Sequence, residues 1–124
     1  MSVTKYDIKT VNKLIGSGPV DLGLGAVPAG MKRYVTFINL QNVYGGAQKA
    51  WLASTSATTF ASTPTLASAA SLLTIHMHSA DSEFQLPKSS PDYDHPLLSI
   101  SEDSFIDVIS NFGSAQLFLQ YYDK

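Results

Sequence analysis

The sequence predicts an all-β fold, a single-domain antiparallel β-sandwich of about seven or eight short strands. Three observations carry that expectation. Short runs rich in Val, Ile, Tyr, Phe and Thr recur along the chain, several with a period of two. Clusters of Gly, Pro, Asn and Ser separate them. Charged residues make up only 15% of the 124 residues, against roughly 25% in an ordinary soluble domain, and Ser, Thr, Ala, Gly and Asn fill their place. A weakly charged polar surface of that kind suits a β-rich protein or one covered by neighbouring subunits.

Taken in order, residues 6–15 fit two patterns. Tyr6, Ile8 and Thr10 alternate as in a strand, while Val11, Leu14 and Ile15 would suit one helix face. β-branched content and the Gly16-Ser17-Gly18-Pro19 breaker favour the strand. Residues 1–13 are also the segment that could serve as an N-terminal arm. Val20, Leu22 and Leu24 alternate, and Val27-Pro28-Ala29-Gly30 reads as a tight turn. Residues 32–40 form the strongest strand, apolar on both faces and therefore central. Asn42 to Gly46 is a turn, and Gln48 to Ala53, with Trp51 and Leu52, is the returning strand.

From Ser54 to Ser71 nearly every residue is Ala, Ser or Thr, which predicts a long loop, with room for an Ala-rich helical turn near Leu66. Loops beyond about 12–15 residues are usually functional or mobile. Strand character resumes at 72–78, returns at 84–86, and is clearest in 97–101, 105–109 and 115–122, where Leu117, Leu119 and Tyr121 share a face. Glu102-Asp103 and Asn111-Phe112-Gly113 read as turns. Strands of this number and spacing predict a sandwich or barrel of jelly-roll type over residues 1–124.

Composition also excludes function classes. The chain has no cysteine, so disulfides and thiolate metal sites are ruled out. Eight basic residues spread along a chain of net charge −2 form no stripe for phosphates, and nucleic acid is not an expected partner. No run approaches the 18 or so apolar residues of a membrane span, and Met1 to Asp7 lacks an apolar signal core, so a protein made in the cytoplasm and free of membrane is expected.

Candidate chemistry is sparse. His76 and His78 lie two apart on a strand and point to one face, an acceptable spacing for two imidazole ligands of a divalent metal. The plainer reading puts them on the wet face while Leu73, Ile75 and Met77 face the core, and it is preferred. Asp92, Asp94 and His95 share a proline-bounded loop but lack the calcium-loop pattern. There is no nucleophile elbow, no phosphate-binding glycine loop, and only two glutamates, of which Glu102 suits a turn. The expected protein is not an enzyme, and no cofactor is expected. Trp51 reads as core, and Phe60 reads equally as core or as a binding anchor.

Two segments resemble the small β-sandwich structural proteins of tailed-phage virions. Val27-Pro28-Ala29-Gly30 followed by Arg33 and a long strand to Asn42 is similar to their "x-V-P-A-G-x-x-R" turn and strand. His95-Pro96-Leu97-Leu98-Ser99-Ile100-Ser101-Glu102-Asp103 and the Phe105 strand resemble their closing "P-L-x-L-x-x-G-D-x-I-x-V-x-S" hairpin, with Glu102-Asp103 where the pattern has Gly-Asp. The match covers residues 20–42 and 95–122. It implies a non-enzymatic virion protein, foremost a homotrimeric capsid decoration (cement) protein bound to the major capsid protein, or a head–tail or tail component. On that reading the contacts fall to Tyr6 and Ile8 of the arm and to Phe60 and Leu66 of the 54–71 loop. The rival from another class is a carbohydrate- or ligand-binding sandwich, with Trp51, Phe60, Tyr44 and Tyr93 lining one surface.

Overall fold

A computed structural model describes residues 6–16, 20–22, 24–55, 71–79, 81–102, 104–110 and 114–124. In chain order the strands are β1 (Lys9–Ile15), β2 (Val20–Asp21), β3 (Arg33–Asn42), β4 (Gln48–Thr55), β5 (Ser71–Met77), β6 (Glu83–Leu86), β7 (Leu98–Ile100), β8 (Phe105–Ser110) and β9 (Ala115–Asp123). All pairings are antiparallel. One sheet runs β1-β9-β3-β6, with β7 also on β3, and the other runs β2-β8-β4-β5. The all-β sandwich expected from the sequence is therefore the fold. Nine strands form among the described residues, and two of them divide one sheet edge, so that eight strand positions result. β6 pairs Ile38 to Gln41 of β3 and β7 pairs Arg33 to Val35, so together they occupy a single strand position.

The core lies between the inner faces. Val35, Ile38, Leu40, Leu117 and Leu119 from the first sheet meet Ala50, Leu52, Ile75, Met77 and Val108 from the second. Alternation places them there, since each is flanked by residues of the opposite face. β3 breaks its own alternation once. Its register with β9 shifts between Val35 and Phe37, leaving Thr36 as the extra residue. Thr36 is buried, and its hydroxyl donates to the Gln120 carbonyl at 3.3 Å. The bulge restores the phase so that Val35 and Ile38 both face inward, while Tyr34 and Phe37 share the outer face.

Polar residues close both ends. At one, Arg33 is buried and makes a forked pair with Asp123, Nε to Oδ1 at 2.8 Å and Nη2 to Oδ2 at 3.0 Å. It also donates to the Gly25 carbonyl at 3.0 Å and lies over the Tyr121 ring. The preceding turn closes from the Met31 N–H to the Pro28 carbonyl, with Gly30 at φ +78°. It thus spans Pro28 to Met31, one residue later than read from Val27 to Gly30. Glycine then occupies the third turn position, where a positive φ is required. At the other end, the Asn42 amide donates to the carbonyls of Gly46 at 2.8 Å and Ser79 at 2.7 Å. Its oxygen accepts from the Tyr44 N–H at 2.9 Å and the Gln48 amide at 2.7 Å. One buried side chain thereby holds the β3–β4 crossing against the segment after β5.

Several expectations are corrected. Residues 9–13, included in the arm, form β1 and pair with Tyr121 to Leu117 of β9, so truncation to residue 10 would cut into the sheet. Residues 54–55 and 71, included in the long loop, belong to β4 and β5. The rest of that loop, with Phe60 and Leu66, lies outside the described residues, as do Asp103 and the turn at 111–113. β4 does not return beside β3 but crosses to the other sheet. β7 and β8 likewise belong to different sheets, so the segment containing Glu102 is an intersheet corner rather than a hairpin. Its carboxylate accepts from the Gly30 N–H at 3.0 Å.

The Asn42 network makes a stability prediction. Asn42→Ala leaves buried carbonyls and the Gln48 amide short of partners, and should lower the unfolding free energy by about 3 kcal/mol. Urea denaturation measures it; a loss under about 1 kcal/mol would mean that water replaces the amide.

Candidate binding surface

The outer face of the first sheet gathers six aromatic side chains, Tyr6, Tyr34, Phe37, Tyr93, Phe118 and Tyr122. Tyr122 points outward from β9 yet is buried, because Tyr6 stacks on it at 4.3 Å and Tyr34 at 5.1 Å between ring centroids. Its hydroxyl donates to the Tyr93 carbonyl at 2.9 Å. Tyr6 meets Tyr93 edge-on at 6.5 Å, donates to the Asp94 carboxylate and lies under the Lys124 ammonium. Tyr93 belongs to the segment 87–97, which leaves the sheet where β6 gives way to β7. The Leu97 N–H pins that segment to the Val35 carbonyl at 2.8 Å, beside the bulge.

Where this segment passes over the sheet it leaves an open groove of about 270 Å³, lined by Phe37, Pro91, Tyr93, Phe118 and Gln120. Phe37 and Phe118 meet edge to face, 5.8 Å apart at 82°. Register puts Gln120 beside Phe37 and Asn39 beside Phe118. Amides continue across the face: Asn39 donates to Gln85 at 3.1 Å, Gln116 to Asn12 at 2.6 Å, and Gln41 to Glu83 at 3.2 Å. The surface is thus a mosaic of rings and amides, and among the described residues no charged side chain lines the groove. A cleft of about 450 Å³ lies at the Arg33 end, between Met31, Lys32, Tyr34, Glu102 and Lys124.

The residues singled out from sequence are dispersed. His76 and His78 stand exposed at the free edge formed by β5, their rings nearly parallel and 6.5 Å apart, with Ile75 and Met77 directed to the core. No group of three potential metal ligands is present among the described residues. Ile8 is half-buried just before β1. Trp51 is 7% exposed and lies outside the intersheet core that holds its neighbours Ala50 and Leu52, which assigns it to the outer face of the second sheet. Its indole N–H is buried with no hydrogen-bond partner among the described residues. Tyr44 sits in the loop after β3, so Trp51, Tyr44 and Tyr93 do not share a surface. The groove that does form relies on Phe37, Phe118 and Gln120, which sequence reasoning had assigned only to strands. The signal that could have found Phe118 was its place between Leu117 and Leu119, opposite in phase to the core.

Comparison with known proteins found no matching family model, no matching curated protein and no matching solved structure.

Asp92 and His95 form an exposed ion pair, Nδ1 to Oδ2 at 2.8 Å. The hydrogen bond that the imidazole Nδ1–H donates to Asp92 holds His95 above its ordinary pKa, and the same bond holds the carboxyl of Asp92 below its own. The histidine contribution is complete below the ordinary imidazole pKa and is lost as pH rises through the raised value. The aspartate contribution is complete above the ordinary carboxylate range and is lost as pH falls through the depressed value. In an NMR titration, His95 should titrate above an ordinary exposed histidine and return to that value in Asp92→Asn. An unchanged midpoint in the variant would show that the pair does not form in solution.

Proposed function

We propose that this chain is a non-enzymatic structural subunit of a virion, a capsid decoration (cement) protein that binds the shell exterior and stabilises it. Strand order supports a jelly-roll reading. With β6 and β7 counted as one position, eight positions divide into two sheets of four, and the chain crosses between sheets at nearly every step. The sequence resemblance in residues 20–42 and 95–122 points the same way.

The observation that carries docking is the end of the sandwich fastened by Asn42. Three of the four large hydrophobic residues exposed among the described residues, Leu14, Val43 and Tyr44, occur there, with Leu14 57% and Val43 53% exposed. Register aligns them: Leu14 is opposite Gln116, Gln116 is opposite Gln41, and Val43 follows two residues later. Apolar side chains gathered at one rim gain when a partner covers them. The partners on this reading are two further copies of the chain and the major capsid protein or another virion protein. Each contact is small, and symmetry multiplies it into avidity.

Light scattering after size exclusion tests the reading together with sedimentation on empty shells. A mass near three times 13.4 kDa, about 40 kDa, and co-sedimentation with shells are expected. Leu14→Lys combined with Val43→Lys should abolish co-sedimentation while circular dichroism stays unchanged. A monomer that does not co-sediment would overturn the proposal.

A further inference from the structure

We propose that the groove between segment 87–97 and the β3–β9 face is a binding site for one neutral sugar ring. None of Phe37, Pro91, Tyr93, Phe118 and Gln120 carries a charge. An ionic ligand would lose hydration there without gaining a counter-charge, so the groove selects against ions. What the lining offers is two chemistries side by side. Phe37, Phe118, Tyr93 and Pro91 supply apolar ring surface, and the two phenylalanines at right angles make a corner rather than a flat patch. Gln120 supplies an amide, which both donates and accepts. That side-chain amide has no hydrogen-bond partner among the described residues, whereas Asn39, Gln41 and Gln116 each have one.

A pyranose matches this pairing. One face of the ring presents C–H groups that pack on aromatic surface, and its edge presents hydroxyls that are at once donors and acceptors. A volume of about 270 Å³ is at the small end for ligand sites, which fits one ring rather than a buried chain. The site is also built. The Thr36 bulge turns Phe37 onto the same face as Tyr34, and the Tyr122 and Leu97 hydrogen bonds hold Tyr93 and its segment in place. The inference does not rest on the virion reading, because none of the residues lining the groove is among Leu14, Val43 and Tyr44, which carry that reading.

The test is a titration of the isotope-labelled protein with the methyl glycosides of glucose, galactose, mannose and N-acetylglucosamine, and with N-acetylneuraminic acid as the charged comparison. At least one neutral glycoside should shift the Gln120 side-chain amide and the Phe118 ring signals, and the acid should not. Gln120→Ala and Phe118→Leu should each weaken that binding by about tenfold, equivalent to the loss of one good contact. Phe118→Leu keeps apolar bulk on a half-buried position, and Gln120→Ala shortens a half-buried side chain whose amide bonds to no described residue, so the two variants guard each other. Both should keep the solution mass and shell binding of the parent, which separates failure here from failure of the docking proposal. No shift with any neutral glycoside would overturn the assignment, as would shifts that both variants leave unchanged or a preference for the acid.

Discussion

β3 and β9 pair along nearly their whole length, from Arg33 opposite Asp123 to Asn42 opposite Ala115, and the rest of the first sheet is added to that pair. Two adjacent central strands cannot leave either face to water when both carry large side chains. The inner face is covered by the second sheet. The outer face needs another cover, and the chain supplies it from two directions: Tyr6 from the N-terminal side and segment 87–97 from the interrupted edge. The edge is divided into β6 and β7 because the residues between them are engaged above the sheet. The groove lies at the margin of this cover, where the tyrosines stop and the phenylalanines begin.

The buried polar groups divide the work between the two ends. Arg33 is always charged, so its burial is tolerable only with Asp123 forked against it and a carbonyl for the remaining nitrogen. Asn42 uses its amide and its oxygen together, four bonds in all, to fix where the chain leaves one sheet for the other. Ser110 adds a third clamp, its hydroxyl donating to the Gly16 carbonyl at 2.8 Å, which ties the end of β1 to the opposite sheet. Such groups cost more when left unpaired than they gain when paired, so they select one crossing pattern over its alternatives.

Much of the strand content was legible locally. Leu117, Leu119 and Tyr121 face inward as their alternation requires, and residues apolar on both faces marked β3 as central. What local pattern could not supply was phase and partner. A period-two reading of Tyr34 to Ile38 splits Tyr34 from Phe37; only the unpaired Thr36, a property of the β9 register, reunites them. Turn chemistry after β3 and β7 signals that the chain bends, but it does not say whether the next strand lies beside the last or in the facing sheet. Both proved to be crossings, which is why two expected hairpins are absent. The groove was hidden for the same reason: its walls come from residues 37, 91, 93, 118 and 120, brought together by long-range pairing.

The chain's single tryptophan and its stacked tyrosines sit on opposite sheets. An indole shielded from water emits at short wavelength, whereas asymmetric stacks of phenol rings dominate near-ultraviolet circular dichroism. Each layer of the sandwich therefore carries its own optical reporter without labelling. Emission follows the environment of β4, dichroism follows the covered face of β3 and β9, and divergence between them would reveal the two layers loosening at different points.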